Sequence, residues 1–320
     1  MKIKLILQLF YMNKIYFLLF VAAQYCGEAT AQDRTPMNNF REMGGFAAPE
    51  SVVFGGDFVF VSNVGASGKA TAKDGDGFIS KVSKGSGMMV RRDWATGLNS
   101  PKGMVVIKNT LYVTDIDKVL GFDLKTAKQV FSLDLADTKS VFINDIAVKD
   151  NGTLFVSASD INAIFVININ KKSYEKLAID APKGVNGLCY EAQTKTLWLN
   201  SMGESGNGEL GRVTDLSSDP TYETISSARK GTLDGLQIPE KGLILYSDWG
   251  APKSKRGVIL RYDTKTEMSR PVPLHRTFGG PADFIFDNET ACFYIPLMTE
   301  NKLWIEQVAG ILTDVDIIKD

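Results

Sequence analysis

The chain has 320 residues, 44% of them hydrophobic, with 29 Gly and 11 Pro, which gives ample apolar material for a folded core and none of the bias that marks disorder. Lys and Arg number 36 against 37 Asp and Glu, for a net charge of −1, so the basic footprint of a nucleic-acid or anionic-membrane binder is missing. Three Cys over this length exclude a disulfide scaffold.

The N-terminus reads as a targeting segment. Lys2, Lys4 and Lys14 precede the apolar run from Ile15 to Ala23, and Ala29-Thr30-Ala31 offers a small-x-small cleavage pattern. Residues 1–31 are therefore expected to be a signal peptide that is removed, with Met12 as an alternative start. Cys26 is a poor lipid-anchor site because it follows Ala23-Gln24-Tyr25 rather than a small residue. No later stretch approaches the roughly 20 apolar residues of a membrane span, so the mature chain is expected to be exported, periplasmic or secreted. Residues 32–44 read as a short N-terminal segment and residues 45–320 as one domain. Cleavage leaves Cys189 and Cys292 in apolar phrases of non-neighbouring repeats, where buried free thiols are expected.

From residue 49 onward a short phrase returns six times, as Pro49-Glu50-Ser51, Pro101-Lys102-Gly103, Ile143-Asn144-Asp145, Val185-Asn186-Gly187, Leu233-Asp234-Gly235 and Pro281-Ala282-Asp283. The starting positions are separated by 42 to 52 residues, a period that marks propeller blades. Within the second repeat, Met104–Val106, Thr110–Val113, Val119–Asp123 and Gln129–Leu133 read as four short strands between turns. The third repeats the pattern with Ile146–Val148, Thr153–Ser157, Ala163–Ile167 and Tyr174–Leu177, and Thr196–Leu199 and Leu243–Tyr246 are the second strands of the next two. No long segment shows a 3.6-residue apolar period. The fold class is all-β, a six-bladed β-propeller with four-stranded antiparallel blades around a central channel. The sixth blade needs a fourth strand, either from Val315–Ile318 or from the segment before Pro49. An array of immunoglobulin-like sandwiches would need about 100 residues per repeat and does not fit the period.

The innermost strand of each blade lines the axis of a propeller, so the second residue of each phrase forms one column around the channel. Glu50, Asn144, Asn186 and Asp234 make that column a ring of oxygen donors without His or Cys, which suits a hard cation such as calcium, held by about six to eight oxygens. Asn186-Gly187 and Asp234-Gly235 are also ordinary tight-turn dipeptides, and the residue types alone leave the metal and turn readings level. Lys102 is the discordant member, readable either as a clamp on a carbonyl or carboxylate or as a solvent-facing loop lysine; near the axis its ammonium would repel a cation unless it pairs with Asp145 or Asp283 or points away. Asp145 and Asp283 share the next column, readable as reserve bases, as turn caps or as partners of Lys102. Trp249, after Tyr246-Ser247-Asp248, opens a loop where an indole would stack on a sugar face or pack between blades.

Pro49-Glu50-Ser51, Asn144-Asp145, Asn186-Gly187-Leu188 and Asp234-Gly235-Leu236, in that order and at blade spacing, resemble the senescence marker protein/gluconolactonase (regucalcin-like) family over about residues 45 to 306. The resemblance implies a six-bladed propeller, a divalent ion (calcium or another hard cation) at the channel mouth and hydrolysis of sugar lactones. It implies Glu50, Asn186 and Asp234 as metal ligands, Asn144 as a contact to substrate or to a water on the ion, and Asp234 also as general base. Phe142 stands where sugar-lactone members often carry an Arg, so the substrate side of the pocket, formed by Asn144, Phe142, Lys102 and Trp249, departs from the pattern. The expected partner is a small sugar-like lactone, with no nucleic acid, and the expected state a monomer. A non-catalytic propeller that binds a protein or glycan, with a purely structural ion, is the alternative.

Other catalytic templates fail. His275 is the one histidine of the chain, has no nucleophile elbow to serve and is expected at the surface or between blades. Gly65–Ala70 lacks the first Gly and the Ser or Thr of a phosphate loop. Asp74-Gly75-Asp76-Gly77 has Gly85 where a calcium loop needs Glu. Ser227-x-x-Lys230 matches a Ser-x-x-Lys pattern by chance, and Lys253-Ser254-Lys255-Arg256 reads as a solvated loop.

Overall fold

A computed structural model describes residues 39–251, 255–308 and 310–311. The segment expected to be a signal peptide, Cys26, Lys253-Ser254 and Val315–Ile318 lie outside the described residues.

Six four-stranded antiparallel sheets follow one another around a ring. Their innermost strands are Pro49–Gly55, Pro101–Ile107, Ile143–Asp150, Val185–Glu191, Leu233–Glu240 and the short Ile285–Asp287, so every repeat phrase opens a blade. The second strand of each blade is almost wholly buried, because both faces of a blade are covered by its neighbours. Six buried clusters form the core, one at each blade-to-blade interface. Blades two and three meet through Tyr112, Phe131, Ile146, Leu154 and Phe165, and blades six and one through Tyr294, Leu303, Val52 and Val61. Among the described residues there is no α-helix, and two single 3-10 turns, Ala136–Thr138 and Met298–Glu300, break the strand pattern. No helix of the described residues is long and apolar enough to cross a membrane.

The sixth blade takes its fourth strand from the N-terminal side. Phe40–Met43 pairs antiparallel with Lys302–Gln307, Phe40 opposite Glu306 and Met43 opposite Leu303, so the ring begins at Phe40. Phe40 stacks on Trp304 at 4.6 Å with an interplanar angle of 11°. Glu42 accepts bonds from Arg276 and from Lys302. On the inner side, a parallel bridge between Ser51 and Asp283 joins blade six to blade one. Closure at both radii removes the exposed sheet edge that an open array would leave.

His275 is exposed beside this closing strand, its ring 4.4 Å from Phe40, as the surface or interblade expectation had it. The 52-residue first interval has a local cause. The loop between the second and third strands of blade one folds over the start of blade two, where the Ser100 hydroxyl donates to the carbonyls of Lys69 and Ala72 at 3.0 and 3.1 Å.

Candidate functional site at the channel mouth

A shared irregularity aims the column at the axis. In blades one to five the pairing of first and second strands jumps across the second and third residues of the phrase, between Pro49 and Val52, Pro101 and Met104, Ile143 and Ile146, Val185 and Leu188, and Leu233 and Leu236. Such a bulge releases two residues from the ladder and re-aims their side chains. The turn reading of Asn186-Gly187 and Asp234-Gly235 is thereby corrected, since both dipeptides lie inside strands and neither glycine has positive φ. The glycines are there for close approach. A Cβ on Gly187 would stand 2.1 Å from the Asp234 carbonyl oxygen, and one on Gly235 2.7 Å from the Asp283 Cα.

A second column, not recognised in the sequence, supports the bulges. Ser62, Ser157, Asn200 and Ser247 on the second strands accept the freed N–H groups of Ser51, Asp145, Gly187 and Gly235 at 2.8 to 2.9 Å. Several of these side chains also reach the next blade, as when Asn200 Nδ2 donates to the Asp234 carbonyl at 2.6 Å and Ser247 Oγ to the Ala282 carbonyl at 3.1 Å. Thr114 Oγ1 donates likewise to the Asn144 carbonyl. The signal is a polar residue at the fifth place of each of these second strands (Ser62, Thr114, Ser157, Asn200 and Ser247), which any one blade would pass off as an ordinary polar strand end.

The predicted residues come together as a continuous chain. Asn144 Nδ2 donates to Ser159 Oγ at 3.1 Å and to Asn186 Oδ1 at 2.6 Å. Asn186 Nδ2 donates to Asp234 Oδ1 at 3.0 Å, and Trp249 Nε1 to Asp234 Oδ2 at 2.8 Å. Trp249 thus orients the carboxylate through its indole N–H, a role beyond both the stacking and the packing expected of it. Glu50 is 6% exposed, and its Oε2 is buried with no hydrogen-bond partner. Burial, then repulsion from Asp234 and Asp283, holds the Glu50 carboxyl well above the usual range. Burial likewise pushes Asp234 up to about 6.

Lys102 overturns its solvent-facing reading: it is 1% exposed. Its Nζ donates to the Ser100 carbonyl at 2.8 Å and lies 5.1 Å from the centre of the half-buried Phe142 ring. Burial pulls the ammonium down to about 8, against the field of Glu50, Asp115 and Asp160, which holds it up. Its electrostatic partners are these three carboxylates, not Asp145 or Asp283. Asp145 instead accepts the backbone N–H groups of Ile146 at 2.7 Å and, across the blade boundary, Leu188 at 2.6 Å. Asp283 accepts the Ser51 hydroxyl at 2.5 Å. Cys189 and Cys292 are free but half-buried rather than buried. Cys189 lies on the channel wall, where burial pushes its thiol up to about 12 and leaves it inert.

A hard cation at the mouth would have to draw on carboxylate and amide oxygens together. Among the described residues no three His, Cys, Asp or Glu side chains converge well enough to hold an ion by themselves, so amide oxygen would be needed as well. The unpartnered Glu50 oxygen, the neighbouring Asp234 carboxylate and the Asn186 amide supply oxygen donors of the right hardness. An ion would draw Asn186 Oδ1 away from Asn144. On this chemistry the group fits.

No protein-family model matches the chain, and no curated protein matches it by sequence. Its fold matches solved structures. Virginiamycin B lyase from Staphylococcus aureus is 15% identical, with 84% of this chain aligned to 99% of that one and a TM-score of 0.54. A protein of unknown function from Bacteroides thetaiotaomicron is 12% identical, with 84% of this chain aligned to 72% of that one and a TM-score of 0.64. A streptogramin B lyase is 16% identical over 83% of this chain and 96% of that one, with a TM-score of 0.53. The likeness is one of fold, a six-bladed propeller that other proteins use for enzymatic and for unassigned work.

Proposed function

We propose that the protein is an exported, cation-dependent hydrolase of a lactone or related cyclic ester, with its site at the channel mouth, as its resemblance to the regucalcin-like propellers suggests. The observation that carries the reading is Glu50 Oε2, a buried carboxylate oxygen without a partner in a ring that holds a second carboxylate and two amides. Leaving such an atom unmet costs about 1–3 kcal/mol or more, and a cation meets it. Glu50, Asn186 and Asp234 would hold the ion, which supplies Lewis-acid polarisation of the ester carbonyl when bound.

The remaining parts fall to the chain. Asp234, which burial pushes up to about 6, takes the proton from the attacking water, and Asn186 and Trp249 fix its plane. Asn144 offers an amide to the ring oxygens of a substrate, Lys102 a cation to the carboxylate product, and Phe142 and Trp249 apolar faces. The test is acid release from a panel of sugar and alkyl lactones, with calcium and with chelator. Calcium-dependent turnover that Asp234→Asn reduces by at least about a hundredfold supports the reading; no turnover on any lactone sinks it.

Two observations favour the second reading, a non-catalytic propeller. Both oxygens of Asp234 are already engaged, by Asn186 and Trp249, and Lys102 is a built-in cation. Stabilisation by calcium without turnover would select it. The lyase chemistry named for the fold neighbours is not carried over. One neighbour is described as inactivated by replacing a histidine, whereas His275 here lies at the outer closing strand, outside the column.

A further inference from the structure

Beyond the ring, the channel continues as a cavity of about 230 Å³ walled by all six blades. Val53, Val105, Leu188 and Leu236 make its wall apolar, and Asp145 and Asp283 are its acidic groups. They come from blades three and six, which face each other across a six-membered ring. All their donors are neutral: two backbone N–H groups for Asp145 and the Ser51 hydroxyl for Asp283. Among the described residues no Lys or Arg pairs with either, and no donor reaches Asp283 Oδ1. Gln237, another polar group of the wall, is spent on the backbone of Phe286, accepting its N–H at 2.5 Å and donating to its carbonyl at 3.0 Å. The glycines of the preceding blades hold the two acids in place, since a Cβ on Gly103 would stand 2.5 Å from Asp145 Oδ1.

We propose that this part of the channel is a second binding site, separate from the mouth, for a small organic cation: a primary ammonium on a compact apolar body. The ammonium bridges Asp145 and Asp283, using the acceptor capacity that neutral donors leave over, and the body lies along the Val and Leu wall. Charge complementarity selects this occupant. Among the described residues the channel carries Glu50, Asp234, Asp145 and Asp283 against Lys102 alone, so an ion bound at the mouth by Glu50 and Asp234 leaves the Asp145–Asp283 pair unneutralised. A hydrated metal ion suits the apolar wall poorly, and an anion would meet two carboxylic acids with no cation of the wall to receive it.

The probe is benzylammonium, with benzyl alcohol as its neutral isostere, titrated calorimetrically into the full chain in calcium and in chelator. Benzylammonium binds in both media, and benzyl alcohol binds on the order of tenfold or more weakly, as loss of a charge-assisted bond requires. Asp283→Asn weakens the ammonium by a similar factor. Asp145 accepts two backbone N–H groups, so its variants risk misfolding; Val53→Phe, which fills the cavity, is the second test and abolishes binding while calcium stabilisation persists. Equal affinity for the alcohol, or ammonium binding that disappears whenever calcium is present, overturns the proposal. Failure of lactone hydrolysis leaves these measurements unaffected, so the two readings stand or fall separately.

Discussion

At the scale of single residues, the mouth sets an unpartnered acid against an undersized supply of positive charge. Glu50→Gln removes the charge but keeps the shape, so in chelator it should raise stability by about 1 kcal/mol or more in urea unfolding, while abolishing any calcium-induced rise in melting temperature. A variant less stable in chelator and still responsive to calcium would refute both the repulsion and the ligand role. Lys102→Met should act in the opposite sense, losing about 3–5 kcal/mol, because it leaves the carboxylates around the mouth without their one ammonium. The column itself was legible in the sequence, since six copies of one phrase expose Glu50, Asn144, Asn186 and Asp234 by comparison. The burial of Lys102 was not. Its neighbours are Asp115 at the end of one strand and Asp160 in the turn after another, and no local pattern announces that three acids from separate blades act on one ammonium.

At the scale of elements, the blade is a four-stranded sheet with a deliberate fault in its innermost pair. Because the bulge N–H groups are met by Ser62, Ser157, Asn200 and Ser247, removing one such side chain orphans buried backbone. Asn200→Ala should cost about 1–3 kcal/mol in chemical unfolding, and Gly187→Ala at least as much, since its Cβ has no room beside Asp234. A neutral Gly187→Ala would mean that the inner strands of blades four and five are not so closely apposed. Strand number and spacing could be read from turn residues and apolar runs. The bulges could not, because an Asn-Gly or Asp-Gly pair signals a turn on local grounds and only the neighbouring blade shows that the glycine serves close approach.

At the scale of the whole molecule, the excess of buried carboxylate makes stability depend on pH in a direction unusual for acids. Burial pushes Asp145 up to about 7 and Asp234 up to about 6 from an ordinary 3.8. Between roughly pH 4 and 7 the folded chain keeps protons that the unfolded chain has released, so stability falls as pH rises through that window. The melting temperature in chelator should therefore be higher at pH 5 than at pH 7.5, and calcium should flatten the part of the profile that Asp234 contributes. A melting temperature that climbs across the same range in chelator would show that these carboxylates are not held neutral.

The outer strand of blade six has a kinetic consequence. Phe40 lies opposite Glu306, so the pairing that shuts the ring joins nearly the two ends of the described chain and must await synthesis of the last blade. Loop closure over such a length is slow, and until it occurs blades one and six each present an unprotected flank. Refolding should accordingly show a late phase that Phe40→Ala slows and that changes in the inner strands of blades three and four leave alone.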